Sequence, residues 1–352
     1  MPYKLNKKLS SLKPYDPIEG EYKIRLDANE SFFNLNQVFS EKISREISKI
    51  DLNRYPDPYA TDAVKAFADF YGIDSKYVTA GNGSDELISI ITSCFLETGD
   101  KILTLSPDFS MYAFYGALYE LQVETMQKED DLSINVDKVI DFCQENKIKA
   151  LIFSNPCNPT SLGIKREEVL RLVSSVSALV ILDEAYMDFW TESILDKAGE
   201  FDNLIILKTC SKAIGLASIR MGFAVAGETI SKALKAAKSP YNTDAVSQAI
   251  CKCVLGEKDF LKNQFSEIIK NRDELYLSIL KLSSKYQIIE KVYETKTNFV
   301  FLKTSKSAAI FSQLLENSIS IRKIGEYLRI TAGSKEENAE FLKVFEQILK
   351  NL

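Results

Sequence analysis

Histidine is absent from all 352 residues of this chain, and its absence removes whole mechanisms. A Ser-His-Asp triad, a Cys-His pair and a His-rich metal site are excluded. Proton transfer must fall to lysine, tyrosine or carboxylates, and a lysine acting as base near neutral pH needs a lowered pKa. No stretch reaches the roughly 18 uninterrupted apolar residues of a membrane span, and Met1 to Ser11 is lysine-rich without the apolar run of a signal peptide. No membrane partner is expected, and the cytoplasm is the expected compartment. The six cysteines (Cys94, Cys143, Cys157, Cys210, Cys251, Cys253) form no CxxC pair, which points to reduced thiols and to no metal site. A net charge of −5 without a long Lys/Arg cluster leaves no electrostatic footprint for nucleic acid. The expected partner is a small molecule.

What is present is an ordinary enzyme composition, 45% hydrophobic and 26% charged, in a chain long enough for a large domain and a smaller one. Between about 75 and 228, short β-rich runs (Tyr77–Thr79, Lys101–Leu105, Gln122–Met126, Ala150–Ser154, Leu179–Asp183, Leu204–Lys208, Gly222–Ala226) alternate with helical segments (Ser84–Glu97, Val136–Glu145, Lys165–Ser177, Thr229–Lys238). Most of the runs are almost continuously apolar, as a largely parallel sheet covered on both faces requires. Ligands then bind beyond the carboxyl ends of the strands. Around Ser239-Pro-Tyr-Asn242 the rhythm changes to a long helical region (about 243–284), a β-like Asn298–Lys303 and helices near 307–317 and 336–350. That change sets the division: residues 1–30 as an N-terminal arm, 31–240 as a large domain and 241–352 as a small one.

Four segments carry chemistry. Thr209-Cys-Ser-Lys212-Ala-Ile-Gly-Leu-Ala-Ser-Ile-Arg220 follows an apolar strand. A lone lysine is usually a solvated surface charge, but here Thr209, Ser211 and Arg220 can hold a phosphate dianion while Lys212 offers its amine to an aldehyde. Leu179-Val-Ile-Leu-Asp183-Glu-Ala-Tyr186 ends a strand in a carboxylate. Alone it reads as a helix cap or a nucleotide-enzyme acid, but the chain has no GxxxxGK[ST]. In a pyridoxal-phosphate site such an acid keeps the ring nitrogen protonated, and Tyr186 can meet the ring hydroxyl. Thr79-Ala-Gly-Asn-Gly-Ser84-Asp85-Glu86 is a glycine turn into a helix, suited to phosphate, although the pattern also suits a plain tight turn. Phe153-Ser-Asn-Pro-Cys-Asn158-Pro-Thr160 places Asn158 at a strand end, where it can donate to a ring oxygen.

In this order the segments resemble the fold type I aminotransferases that use pyridoxal phosphate, and in particular the histidinol-phosphate aminotransferases. Leu26-Asp-Ala-Asn29-Glu30, Arg54-Tyr55-Pro-Asp-Pro58, Gly81 to Ile88, Asp183 to Phe189 and Tyr327 to Gly333 carry that likeness across nearly the whole chain. The resemblance implies an α/β fold of type I: a large domain with a mostly parallel seven-stranded sheet covered by helices, and a smaller α+β C-terminal domain. It makes Lys212 the Schiff-base lysine and general base, Asp183 the pyridinium partner, and Asn158 and Tyr186 the ligands of the ring hydroxyl. Ser84, Asp85, Thr209, Ser211 and Arg220 would hold the cofactor phosphate, and Phe109 would stack on the ring. Tyr55 would reach the cofactor phosphate of a second subunit, which implies a homodimer with shared sites.

For substrates the resemblance implies histidinol phosphate and 2-oxoglutarate, the latter returned as glutamate, with Arg329, Arg322, Tyr15 and Asn29 at the substrate. An arginine such as Arg322, taken alone, reads as a surface charge. Three residues depart from the family pattern: Phe109 in place of tyrosine, Cys157 in place of asparagine, and Ser161 where glycine usually follows Asn-Pro-Thr. They lie around the pocket and not on the lysine. An aromatic amino-acid aminotransferase and a threonine-phosphate decarboxylase share most of this cofactor shell. A non-catalytic, cofactor-sensing domain is a further class, but it would need an added interaction module.

Overall fold

Residues 3–10, 12 and 18–352 are described in a computed structural model of the chain. The N-terminal part carries the single turn α1 (Lys7–Ser10), β1 (Ile24–Leu26), α2 (Leu35–Ile47) and α3 (Thr61–Tyr71). The α/β run comprises β2 (Val78–Asn82), α4 (Gly83–Cys94), β3 (Lys101–Ser106), α5 (Met111–Leu118), β4 (Gln122–Gln127), α6 (Val136–Glu145), β5 (Ala150–Ser154), α7 (Arg166–Ser175), β6 (Leu179–Asp183), β7 (Leu204–Thr209), β8 (Met221–Ala226) and α8 (Glu228–Ala237). Then come α9 (Ala245–Leu255), α10 (Lys258–Lys285), β9 (Lys291–Val292), β10 (Phe299–Lys303), α11 (Ser307–Glu316), β11 (Ile319–Ile324), β12 (Tyr327–Thr331) and α12 (Lys335–Asn351).

The large sheet has the order β2-β8-β7-β6-β5-β3-β4. Its strands β5, β7 and β8 are buried at every position, as their largely apolar sequences demand, while the edge strand β4 has no buried position. Helices such as α6 cover it; there Asn135 accepts from the Lys138 amide at 3.2 Å and supplies the missing N-terminal bond. The strands are parallel except β8, which runs antiparallel to both β7 and β2. The reason is the length of the connection: residues 210–220 between β7 and β8 are too few for a parallel crossover. The candidate lysine therefore sits on an antiparallel loop at the carboxyl end of β7.

The second sheet, β1-β11-β12-β10-β9, builds the small domain. Two of its members come from unexpected places. β1 belongs to the segment read as an arm, yet it pairs in parallel with β11 and buries Ile24 and Leu26 in the small core. The β11/β12 hairpin went unread because Ile319 to Thr331 mixes apolar and charged residues in a short span. Packing also runs across the expected division at residue 240. Helix α9 contributes Cys251, Val254 and Leu255 to the large core, and α10 places Leu261 there but Leu275 and Ile279 in the small one. The long helical region is two helices, and the domains meet along α10.

Candidate active site

The sheet aligns the candidates at one end. Asp183, last residue of β6, lies beside Ser154 of β5 and Leu207 of β7, so the segments that follow these strands meet above them. Asp183 is buried; Tyr112 donates to its Oδ2 at 2.7 Å and the Ala185 amide to its Oδ1 at 2.9 Å. Burial pushes its carboxyl up to about 6, against the lowering effect of these two bonds, and Asp108 and Asp85 push in the same direction as burial. Phe109 is edge-on to Tyr112, with ring centroids 5.5 Å apart.

Lys212 is half-buried, its Nζ donating to the Ala28 carbonyl at 3.1 Å and standing 5.8 Å from the centre of the Tyr186 ring. The Tyr186 hydroxyl accepts from Asn29 Nδ2 at 2.8 Å. Asn29 adopts a left-handed conformation (φ 57°) and is held by Thr331 Oγ1, 3.0 Å from its amide, and by Asn298, whose Nδ2 is 3.0 Å from its carbonyl. The stretch after β1 thus carries the small domain to the lysine.

Beside these groups is a cationic cup. Arg220 Nη1 lies 3.2 Å from Ser211 Oγ, Arg220 Nη2 is 3.6 Å from Asp85 Oδ2, and Thr209 Oγ1 accepts from the Ser211 amide at 3.1 Å. The cup faces the N-terminus of α4, where Ser84 and Asp85 present first-turn amides. Close approach is possible only because residue 222 is glycine: a Cβ there would be 2.5 Å from both the Gly83 carbonyl carbon and the Ser84 nitrogen.

On the other side, Asn158 Oδ1 accepts from Arg329 Nη1, and Arg329 Nη2 donates to the Asp27 carbonyl at 2.7 Å. Arg322 is directly opposite Arg329 across β11 and β12. Like charges so placed repel, and among the described residues Arg322 has no ion-pair partner, so the pair favours an anion. Tyr55 is not brought to the site: it is 82% exposed and stacks on Tyr241 with centroids 4.6 Å apart. Tyr15 lies outside the described residues. Sequence reasoning missed Tyr112, although its spacing from Phe109 (i, i+3) at the start of a helix puts both on one face. It also missed Asn298 and Thr331, which have no local motif.

The description "Aminotransferase class I and II" fits residues 21–345 as a family. The histidinol-phosphate aminotransferase of Clostridium novyi (strain NT) is 40% identical over 341 residues, covering 96% of this chain and 94% of that protein. That of Pyrococcus furiosus is 34% identical, covering 97% and 96%. The chain belongs to the histidinol-phosphate aminotransferases, a pyridoxal-phosphate-dependent branch of that family. The fold agrees: a crystal structure of histidinol-phosphate aminotransferase from Sinorhizobium meliloti in complex with pyridoxal-5'-phosphate superposes with a TM-score of 0.87 at 20% identity, covering 99% of this chain and 98% of that one. No helix among the described residues is long and apolar enough to cross a membrane, and no cluster of these residues has the ligands for a metal ion.

The residues of this aminotransferase fit its cofactor on their own chemistry. A buried carboxylate whose hydrogen-bond partners are neutral suits a cationic ring nitrogen. The glycine-lined cup, with Arg220 and the amides of α4, suits a phosphate dianion.

Proposed function

We propose that the chain transfers the amino group between L-histidinol phosphate and 2-oxoglutarate, giving imidazole-acetol phosphate and glutamate, with Lys212 as the residue that carries pyridoxal phosphate. The observation that carries this reading is the convergence of one half-buried lysine, one buried acid raised to about 6 and one cationic cup at the carboxyl ends of β6 and β7. Bound pyridoxal phosphate supplies an electron sink for the electrons left when the substrate carbon loses its proton. Asp183 would hold the ring nitrogen in its cationic state, with Tyr112 orienting that carboxylate. The backbone amides of Ser84 and Asp85, with Thr209, Ser211 and Arg220, would take the phosphate. Asn158 and Tyr186 would hydrogen-bond the ring hydroxyl, and Phe109 would lie against the ring. Lys212 would hold the cofactor through its amine and, once that amine is freed by the substrate's, would be the base that moves the proton at the substrate carbon.

Arg322 and Arg329, paired on one sheet face, receive the phosphate of the amino donor, and Arg329 alternatively forks onto the carboxylate of 2-oxoglutarate. Asn29 and Tyr15 complete the substrate side. The exposed row of Leu52, Tyr55, Tyr59 and Tyr241 supports a homodimer in which Tyr55 reaches the cofactor phosphate of the other subunit. A cytoplasmic location belongs to the same reading.

The test is a comparison of half-reaction rates with histidinol phosphate, phenylalanine and threonine phosphate. Fastest conversion with histidinol phosphate, reduced about 100-fold in kcat/KM by Arg322→Ala with Arg329→Ala combined, is the expected result. Preference for phenylalanine would keep the chemistry and replace the substrate.

A further inference from the structure

The turn from Asn155 to Leu162 carries Asn158 into the site, and all of it is buried except the half-buried Asn158 and Leu162. It borders a cavity of about 310 Å³, lined by Lys128, Thr160, Leu162 and Gly163 on the turn's side and by Tyr293 and Glu294 of the small domain. Leu162 packs on Leu132, Tyr293 and Phe301 there, and hydrogen bonds add to that apolar contact in holding the turn.

Those bonds converge on Ser161, which is fully buried. Its Oγ donates to Thr295 Oγ1 at 3.1 Å, accepts from the amides of Lys296 at 2.9 Å and Thr297 at 3.2 Å, and lies 2.7 Å from Thr297 Oγ1. A hydroxyl has one proton and two lone pairs, so these four contacts share its full capacity, and every partner belongs to the small domain's approach to β10. Within the turn, the Ser161 amide donates to the Cys157 carbonyl and the Cys157 amide to the Leu162 carbonyl, both at 2.8 Å, so fixing residue 161 fixes Asn158. Beyond the latch, Thr295 Oγ1 donates at 2.6 Å to the carbonyl of Phe299, whose ring lies 5.4 Å from the Arg329 guanidinium and edge-on to Tyr186 at 5.5 Å.

We propose that Ser161 is a positioning residue whose hydroxyl latches the Asn155–Leu162 turn to the small domain and so sets where Asn158 and Arg329 stand. The proposal rests on the aminotransferase reading for its kinetic consequence, though not for the latch itself. Ser161 has φ +63°, a left-handed conformation that disfavours serine and suits glycine. Glycine therefore removes the hydroxyl without hindering the backbone, and Ser161→Gly is expected to fold.

The experiment uses the holoenzyme of wild type, Ser161→Gly, Thr297→Val and the double variant. Amide hydrogen exchange across residues 155–164 and steady-state kcat and KM for the amino donor are measured on each. Ser161→Gly should exchange about tenfold faster in the turn while β5 and β6 keep their protection, and should raise KM about tenfold with kcat changed by less than about twofold, the scale of one or two hydrogen bonds. Thr297→Val should give part of both effects, and the double variant no more than Ser161→Gly alone. Wild-type exchange and KM in Ser161→Gly would overturn the latch. So would fully additive effects of the two substitutions, or faster exchange throughout the large domain with kcat and KM both impaired. If wild type accepts none of the amino donors, the functional reading fails, and the exchange data still decide the latch.

Discussion

Asp183 is the residue whose titration reports most on the site. Because the chain has no histidine, a carboxyl raised to about 6 by burial is poised to dominate pH behaviour near neutrality. The folded value lies above the ordinary 3.8, so the folded state holds the proton more tightly. Its stabilising contribution is complete below about pH 4 and is lost as pH rises through about 6. The full effect is about 3 kcal/mol, of which about 1 kcal/mol is recovered between pH 7 and pH 5. Urea unfolding of the cofactor-free protein at those two pH values should show that gain in wild type and not in Asp183→Asn. Tyr112→Phe removes a bond that lowers the carboxyl's pKa, so it should move the same transition to higher pH. In the holoenzyme, Asp183→Asn should reduce kcat by a factor on the order of 10² to 10³ with the fold retained, because the charge opposite the ring nitrogen is lost in a water-poor site.

At the scale of elements, the β7–β8 loop and the N-terminus of α4 form one unit across Gly222. Gly222→Ala would drive a methyl group into the Gly83–Ser84 backbone. Equilibrium dialysis should show cofactor affinity reduced by at least about 100-fold, whereas Gly99→Ala, where a Cβ meets nothing within 4 Å, should leave it unchanged apart from the strain of its φ of +88°. The same elements show what a sequence can carry. β5 and β6 were legible to the residue, because strands buried on both faces must be continuously apolar, and Asp183 and Lys212 stand out as polar groups at the ends of such runs. β1, β11 and β12 were not legible: a three-residue strand has too few positions for a period, and its pairing with β11 joins residues nearly 300 apart. Asn298, Thr331 and the hydroxyl network of Ser161 were invisible for the same reason, since each acts through partners that only the folded chain supplies.

Over the whole molecule, the polar contacts among the described residues that join the large and small cores include the stretch Asp27 to Asn29, the Asn158–Arg329 bond and the Ser161 cluster. These crossings tie the small domain to Lys212 and bring Arg329 to Asn158. Tyr55 and Tyr241 are exposed and stacked on each other, and the homodimer proposed above would cover them. If sites are shared between subunits, Tyr55→Ala and Lys212→Ala chains, each nearly inactive, should regain activity when co-expressed. A mixed dimer contains one site built from an intact Tyr55 and an intact Lys212. Activity no greater than the sum of the two separate variants would place Tyr55 outside the site.

The central claim is that Lys212 carries the cofactor, and chemical trapping tests it most directly. The holoenzyme is reduced with borohydride, digested, and its peptides weighed. The mass of the reduced pyridoxyl phosphate should appear on the peptide containing Lys212 and disappear when histidinol phosphate is added first without an oxo-acid. A label on another lysine, or none on any, would contradict the account.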